Sequence, residues 1–337
     1  MRAMRRADHA LRASRRDVLL GLAASAAGAG CTGRVLEYTV HSVYDDPVPG
    51  APKGLPFRTG QIVLSEAPGP YGILFTLAPD RFFRFTHSAL IVTDEAGEPF
   101  VYDMSAEFKP TLASEPAGSL FGGIRRTPLA DYVGMHLYVE VFEPPAGVDR
   151  TRVGAKVNEL LGQHIGFDSA WDFHDHRAMF CSEFVVEALA AGGAPRPPLV
   201  GLTPNPSLRN VLRWFGVTSL ESLPAAALPR ERRVAAFSVW PTRAAAESYL
   251  EAKRELYRRF TPEQEIGNLL ELDHYDVKLR PSVAEFLERA PGLYATAGGE
   301  PPDAELRGRV RALADQVLGP YPDAPARTAL LSPPRAR

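Results

Sequence analysis

Phe85-Thr86-His87-Ser88-Ala89-Leu90-Ile91-Val92-Thr93, then Asp94-Glu95-Ala96-Gly97, then Pro99-Phe100-Val101-Tyr102-Asp103-Met104 reads as two strands and a tight turn. Both runs are rich in β-branched and aromatic residues, and the polar link ends in a glycine suited to a left-handed turn position. Centring the hairpin near residue 95 makes paired positions sum to about 190, which sets His87 opposite Asp103 to within one residue. Working outward, Gln61-Ile62-Val63-Leu64-Ser65 and Leu137-Tyr138-Val139-Glu140-Val141-Phe142 are further strands. Residues 151–161 place Val153, Val157, Leu160 and Leu161 at helical spacing, and residues 180–191 form a second helix. Beyond Phe215 the texture is helical over 242–259, 280–289 and 303–318. Strands, a helix, a cysteine-bearing helix and a helical tail make an α+β chain with a core of roughly 160 residues.

The chain has 337 residues, 45% of them hydrophobic, and a net charge of −2. That balance excludes a basic nucleic-acid footprint spread over the whole chain. Two cysteines exclude a disulfide scaffold and a cysteine-rich zinc module. The first thirty residues read as targeting rather than fold. Arg2, Arg5, Arg6, Arg12, Arg15 and Arg16 precede an uncharged small and apolar run over residues 18–30. Ser14-Arg15-Arg16-Asp17-Val18-Leu19-Leu20 resembles a twin-arginine export signal, and Gly28-Ala29-Gly30-Cys31 resembles a lipobox. The expectation is an exported envelope protein held at the membrane by a lipid on Cys31, with plain cleavage near Ala24-Ser25-Ala26 as the alternative. Loss of residues 1–30 removes six Arg and two Asp and leaves a net charge of −6.

Cys181 is the second cysteine, with no partner once Cys31 is assigned to the signal. Phe184, Val185, Ala188 and Leu189 share its helix face, so it lies on an inward stripe in the first turn. A helix N-terminus favours a thiolate, and position alone leaves a nucleophile and a buried structural thiol both open. A thiol nucleophile needs a base, usually histidine. His87 is the histidine inside a strand. A core or edge histidine is the bland alternative, and His174 and His176 are rival bases in the loop before the helix. Asp103, unexpected in an apolar strand, would orient the far nitrogen of His87 unless it only caps the strand end. Trp171-Asp172-Phe173-His174-Asp175-His176 crowds Asp and His without a second ligand cluster, so no metal is expected and no cofactor is called for. The loop reads instead as one wall of a cleft.

Arg58-Thr59-Gly60-Gln61-Ile62-Val63-Leu64, Thr86-His87-Ser88-Ala89, Val101-Tyr102-Asp103, Gly166-Phe167-Asp168, Phe180-Cys181-Ser182-Glu183-Phe184-Val185 and Leu202-Thr203-Pro204-Asn205 together resemble the YiiX/YebB-like branch of the NlpC-type cysteine hydrolases. The resemblance covers about residues 56–215. It implies a circularly permuted papain-like fold, with a small, mostly antiparallel sheet packed on the cysteine-bearing helix. It also implies Cys181 as nucleophile, His87 as base and Asp103 as the third polar residue, with Ser182, Glu183 and Asp168 supporting the motif. Two positions depart from the family: Asp103 stands where Glu is frequent, and Ser88-Ala89 stands where a glycine follows the histidine.

The expected organisation is an export signal over 1–31, a tether over 32–55 with one strand at 35–43, a papain-like catalytic domain over 56–215, and a helical extension over 216–337 ending in a frayed terminus. The expected activity is hydrolysis of amide bonds in a peptide-like or acyl substrate, with cell-wall peptides as the association an envelope location suggests. A lipid-directed acyltransferase or amidase using the same thioester is the first alternative. A greasy cleft lined by Phe82, Phe83, Phe85 and the tail helices would favour it. A non-catalytic lipoprotein binding a ligand in a decayed site is the second. The partners expected are that substrate and a membrane, and no nucleic acid. The oligomeric state stays open.

Overall fold

The centre of the sheet is buried on both faces, and the alternation of its strands assigns each side chain to one of two cores. The computed structural model describes residues 38–43, 57–108, 120–260, 262–273, 276–295 and 303–321. In β2 (Ile62–Glu66), β3 (His87–Thr93), β4 (Pro99–Phe108) and β6 (Tyr138–Phe142), Ile62, Leu64, Leu90, Tyr102 and Tyr138 face the larger core. Val63, Ala89, Ile91, Val101 and Val139 face the smaller one, closed by Leu129, Tyr132 and Val133 of α2 (Leu129–Gly134). Each fully buried aliphatic side chain contributes about 1.5–3 kcal/mol relative to exposure. A one-residue register slip would therefore turn every one of them to the wrong side.

The main sheet also contains β1 (His41–Ser42), β5 (Leu120–Pro128), β7 (Gly166–Phe167), β8 (Ala178–Met179) and β11 (Arg233–Ser238). Among the described residues it has nine strands, in the order β1-β11-β6-β2-β3-β4-β5-β7-β8. Every pairing is antiparallel except β7 with β8, so the sheet is mixed and the chain is α+β. Two short strands, β9 (Val200–Gly201) and β10 (Glu221–Ser222), pair apart from it, as do β12 (Leu270–Asp273) and β13 (Asp276–Leu279). Among the described residues there are eight α-helices. The two that matter for the site are α1 (Pro70–Leu77) and α4 (Cys181–Ala191); α3 (Arg150–Gly162), packed on α4, starts where the Asp149 carboxylate accepts from the N–H groups of Thr151 and Arg152.

Two sequence expectations are corrected here. The hairpin pairs Ala89 with Asp103 and Thr93 with Pro99, so its centre lies at residue 96 rather than near 95 and the register is offset by two. His87 is thus a diagonal neighbour of Asp103 rather than its direct opposite, on the same face, because an offset of two preserves the alternation. The extension over 216–337 is not simply helical. Its β11 sits inside the main sheet between β1 and β6, and α6 (Arg243–Arg259) drives Lys253 against Glu66 at the end of β2. That ion pair is 2.6 Å long with both side chains fully buried. The strand expected within the tether is β1, which pairs with β11. Cys31, the export signal and residues 322–337 lie outside the described residues. Among those described, no helix is long and apolar enough to cross a membrane.

Candidate active site

Helix α4 begins at Cys181 because Phe180 is extended and Glu183, three residues on, reaches back to the Phe180 N–H at 3.4 Å. This sets Cys181 at the first helical position, where backbone N–H groups have no partner within the helix. His87 opens β3, at the end of the strand nearest that helix start. Its Nε2 lies 2.9 Å from Asp103 Oδ2, which leaves Nδ1 unused by the carboxylate, and the ring lies near enough to the Cys181 sulfur for the two charges to act on each other. The Asp103 side chain is 1% exposed and accepts from Arg125 as well, from Nε at 3.2 Å and Nη2 at 3.1 Å.

The charges reinforce one another. Burial by itself disfavours a charged His87, but the Cys181 sulfur and the Asp103 carboxylate outweigh it and raise the imidazole to about 10. Burial likewise raises the Cys181 thiol, and the His87 charge, its hydrogen bond and the Ser88 backbone N–H overcome this, so the thiol sits below its ordinary range. Asp103 pays a burial penalty too, and His87 and Arg125 hold it below the usual carboxylate range. Each shift favours a thiolate–imidazolium pair with a carboxylate behind it.

Sequence reasoning missed two members of the cluster. Arg125 of β5 is reached only because β5 pairs with β4 in the register Asp103–Arg125. His136 stacks on His87 with ring centroids 6.2 Å apart and planes 9° apart, and its Nδ1–H donates to the Tyr132 carbonyl at 2.8 Å. Burial, then the neighbouring His87 charge, pushes it down to about 4, so it stays neutral. No local spacing signals either residue.

The supporting residues hold the frame around the sulfur. The Ser182 hydroxyl donates to the Leu223 carbonyl, tying the start of α4 to the C-terminal part of the chain. The fully buried Glu183 carboxylate meets His176 Nδ1 at 2.6 Å. Asp168 accepts from the N–H groups of Ala170 and Asp172 at 2.7 and 2.6 Å and so shapes the loop before Cys181. The rival bases His174 and His176 do not line the cavity at the sulfur. The loop does form a wall, through Trp171, whose φ of 56° is unusual for a bulky residue and whose ring meets Phe75 edge-on at 5.3 Å.

The cavity beside Cys181 and His87 has a volume of about 350 Å³. Tyr71, Phe75, Phe83, Phe85, Trp171 and Phe215 make its walls largely aromatic, and Arg125 stands at one end. Phe83 and Phe85 lie where expected, whereas Phe82 packs on Tyr257 instead. The tail contributes residues 222–225 to the lining rather than a helix. Among the described residues, no three His, Cys, Asp or Glu side chains converge to hold a metal ion.

No protein-family model matches the sequence, and no curated protein matches it. Among solved structures, the metalloprotein yiiX from Escherichia coli O157:H7 aligns with 53% of this chain and 97% of its own, at 14% sequence identity and a TM-score of 0.42. A likeness of that size decides neither fold family nor chemistry, and the site stands on its own geometry.

Proposed function

We propose that this chain is a cysteine acyl hydrolase that takes an apolar acyl group, with the order of a circularly permuted papain-like enzyme: base strand, carboxylate strand, nucleophile helix. The observation that carries the reading is the Asp103–His87–Cys181 line at the edge of an aromatic cavity. The Cys181 thiolate would attack a carbonyl carbon, forming a C–S bond and passing its charge to the carbonyl oxygen. The backbone N–H of Cys181, at the start of α4, is one donor for that oxyanion. Collapse of the intermediate breaks the bond to the leaving group, which takes its proton from the His87 imidazolium. A water molecule, or an acceptor hydroxyl, then attacks the thioester while His87 removes its proton, and the thiolate returns. Asp103, held by Arg125, stabilises the imidazolium and keeps Nδ1 turned to sulfur.

The walls favour the lipid-directed reading over cell-wall peptides. A polar, charged stem peptide would leave its amides unpaired against Tyr71, Phe75 and Trp171, whereas an acyl chain would bury apolar surface there. Export and a lipid on Cys31 would bring the site to a membrane surface, where such groups are abundant. The test is hydrolysis of acyl amides and esters of short, medium and long chain, beside cell-wall muropeptides, with the adduct at Cys181 followed by intact mass. Rates should rise with chain length, and Cys181→Ala should lower them by roughly 10⁴-fold or more. Preference for muropeptides would move the substrate class, and full activity in Cys181→Ala would end the reading.

A further inference from the structure

Ser88 follows the candidate base on β3, and the alternation of the strand turns it to the opposite face, the one it shares with Leu90 and Val92. That is the face on which α4 packs. Ser88 is 0% exposed, and its hydroxyl has no hydrogen-bond partner among the described residues. A buried hydroxyl without a partner costs about 1–3 kcal/mol, so such groups call for an explanation. The group in front of it is the sulfur of Cys181, toward which the Ser88 backbone N–H is also directed. A neutral thiol is a weak acceptor, whereas an anionic sulfur accepts strongly from both donors.

We propose that the Ser88 hydroxyl donates to the Cys181 sulfur and, together with the Ser88 N–H, holds it as an anion beside His87. The proposal rests on Cys181 being the nucleophile. When the sulfur forms its bond to the carbonyl carbon, its charge moves to the carbonyl oxygen and the Ser88 donors lose their acceptor. When the thioester is cleaved, the thiolate re-forms and they regain it. Ser88 thereby acts on the resting nucleophile and sets the pH range in which it is anionic. Here the position where a glycine is common carries a donor in place of a hydrogen atom.

The titratable and charged groups around this sulfur come from several elements. His87 of β3 touches it; Asp103 of β4 and Arg125 of β5 stand behind His87. His136 stacks on His87, and Tyr132 of α2 feels the sulfur charge from the far side. Glu183 on α4 itself is paired with His176. None of these changes when Ser88 is replaced, so a shift in the thiol's titration reports the lost donor.

The experiment is the rate of iodoacetamide alkylation against pH on the full chain, read by peptide mass spectrometry so that Cys181 is separated from Cys31. Wild type should alkylate with a midpoint well below the free-thiol value of ~8.5. Ser88→Ala and Ser88→Gly should move that midpoint up by roughly one to two pH units and slow labelling at acid pH at least about ten-fold. Ser88→Thr, which keeps the hydroxyl, should stay near wild type. Ala and Gly variants that titrate with wild type would overturn the proposal. A Thr variant that shifts as far as Ala would trace the effect to packing and overturn it too. A wild-type midpoint at the free-thiol value would instead overturn the reading of Cys181 as nucleophile, and the two failures are told apart by wild type alone.

Discussion

Asp103 Oδ2 is shared by two donors, His87 Nε2 and Arg125 Nη2, and this sharing sets what each replacement costs. His87→Ala removes the proposed base and proton donor and the positive charge that holds the thiol down, so the proposed acyl transfer should fall by about 10²–10⁴-fold. Asp103→Asn keeps a polar group against the ring but removes the charge that stabilises imidazolium. It should cost less than His87→Ala and add little when combined with it, since residues acting as a unit do not sum. The pH profile carries the sharper signature. His87 is raised to about 10, so the ion pair persists from the depressed thiol titration up to that region, and activity is lost above it as the imidazolium deprotonates. Asp103→Asn removes an anion that raises His87, so the alkaline limb of kcat/KM should move down in pH. A limb that stays put would remove Asp103 from the orienting role. The two groups titrate as a pair, so the limbs belong to the pair rather than to one residue.

At the scale of the element, the start of α4 is fixed by one buried carboxyl serving two neighbours. Glu183 reaches the Phe180 N–H with one oxygen and His176 with the other. It therefore couples the helix carrying Cys181 to the loop whose Trp171 walls the cavity. Burial pushes the Glu183 carboxyl up to about 7, against the pull of His176. A carboxyl raised above its unfolded value favours the folded state when protonated; that contribution is complete below the ordinary value of 4.5 and lost as pH rises through about 7. Glu183→Gln removes this titration. Its Tm relative to wild type should therefore improve between pH ~5 and ~8. Parallel Tm curves for the two proteins across that interval would show that the carboxyl is ionised alike in both states.

At the scale of the whole molecule, the C-terminal third is part of the sheet and of its support. β11 separates β1 from β6, and Lys253 of α6 meets Glu66 of β2, with Thr86 donating to the same carboxylate at 3.2 Å. Burial raises Glu66 and lowers Lys253, and the charge of each pulls the other back toward its ionised form. Removing one partner of a buried pair leaves an uncompensated charge, at about 3–5 kcal/mol. Lys253→Met alone should lose stability of that order in urea unfolding, and Glu66→Gln added to it should restore part of the loss. Truncation after Phe215 deletes both the strand and the lysine, so the shortened chain should not fold; a cooperative unfolding transition in it would show the tail to be a separable cover. Thr86 precedes His87, so the pair also braces the strand end that carries the candidate base.

The strand alternation around His87 and the amphipathic helix opening at Cys181 were legible in the amino-acid sequence, because both are periodic and local. Periodicity also sufficed for the α+β class. The exact hairpin register was not, since moving the hairpin centre by one residue leaves the pattern of apolar residues unchanged. Arg125, His136 and the buried Glu66–Lys253 pair carry no local signal at all. Lys253 lies almost two hundred positions from Glu66 along the chain, a separation roughly estimated from numbering rather than from any pattern a short window detects. Their roles come from strand order and helix packing, which bring distant charges into a low-dielectric interior where each needs a partner. The tail reads as amphipathic helices for the same reason: a half-buried strand such as Arg233–Ser238 is too short to announce which sheet it joins. Local chemistry marked Cys181 and His87 as candidates; only the tertiary structure decided which charges surround them and what kind of cavity they face.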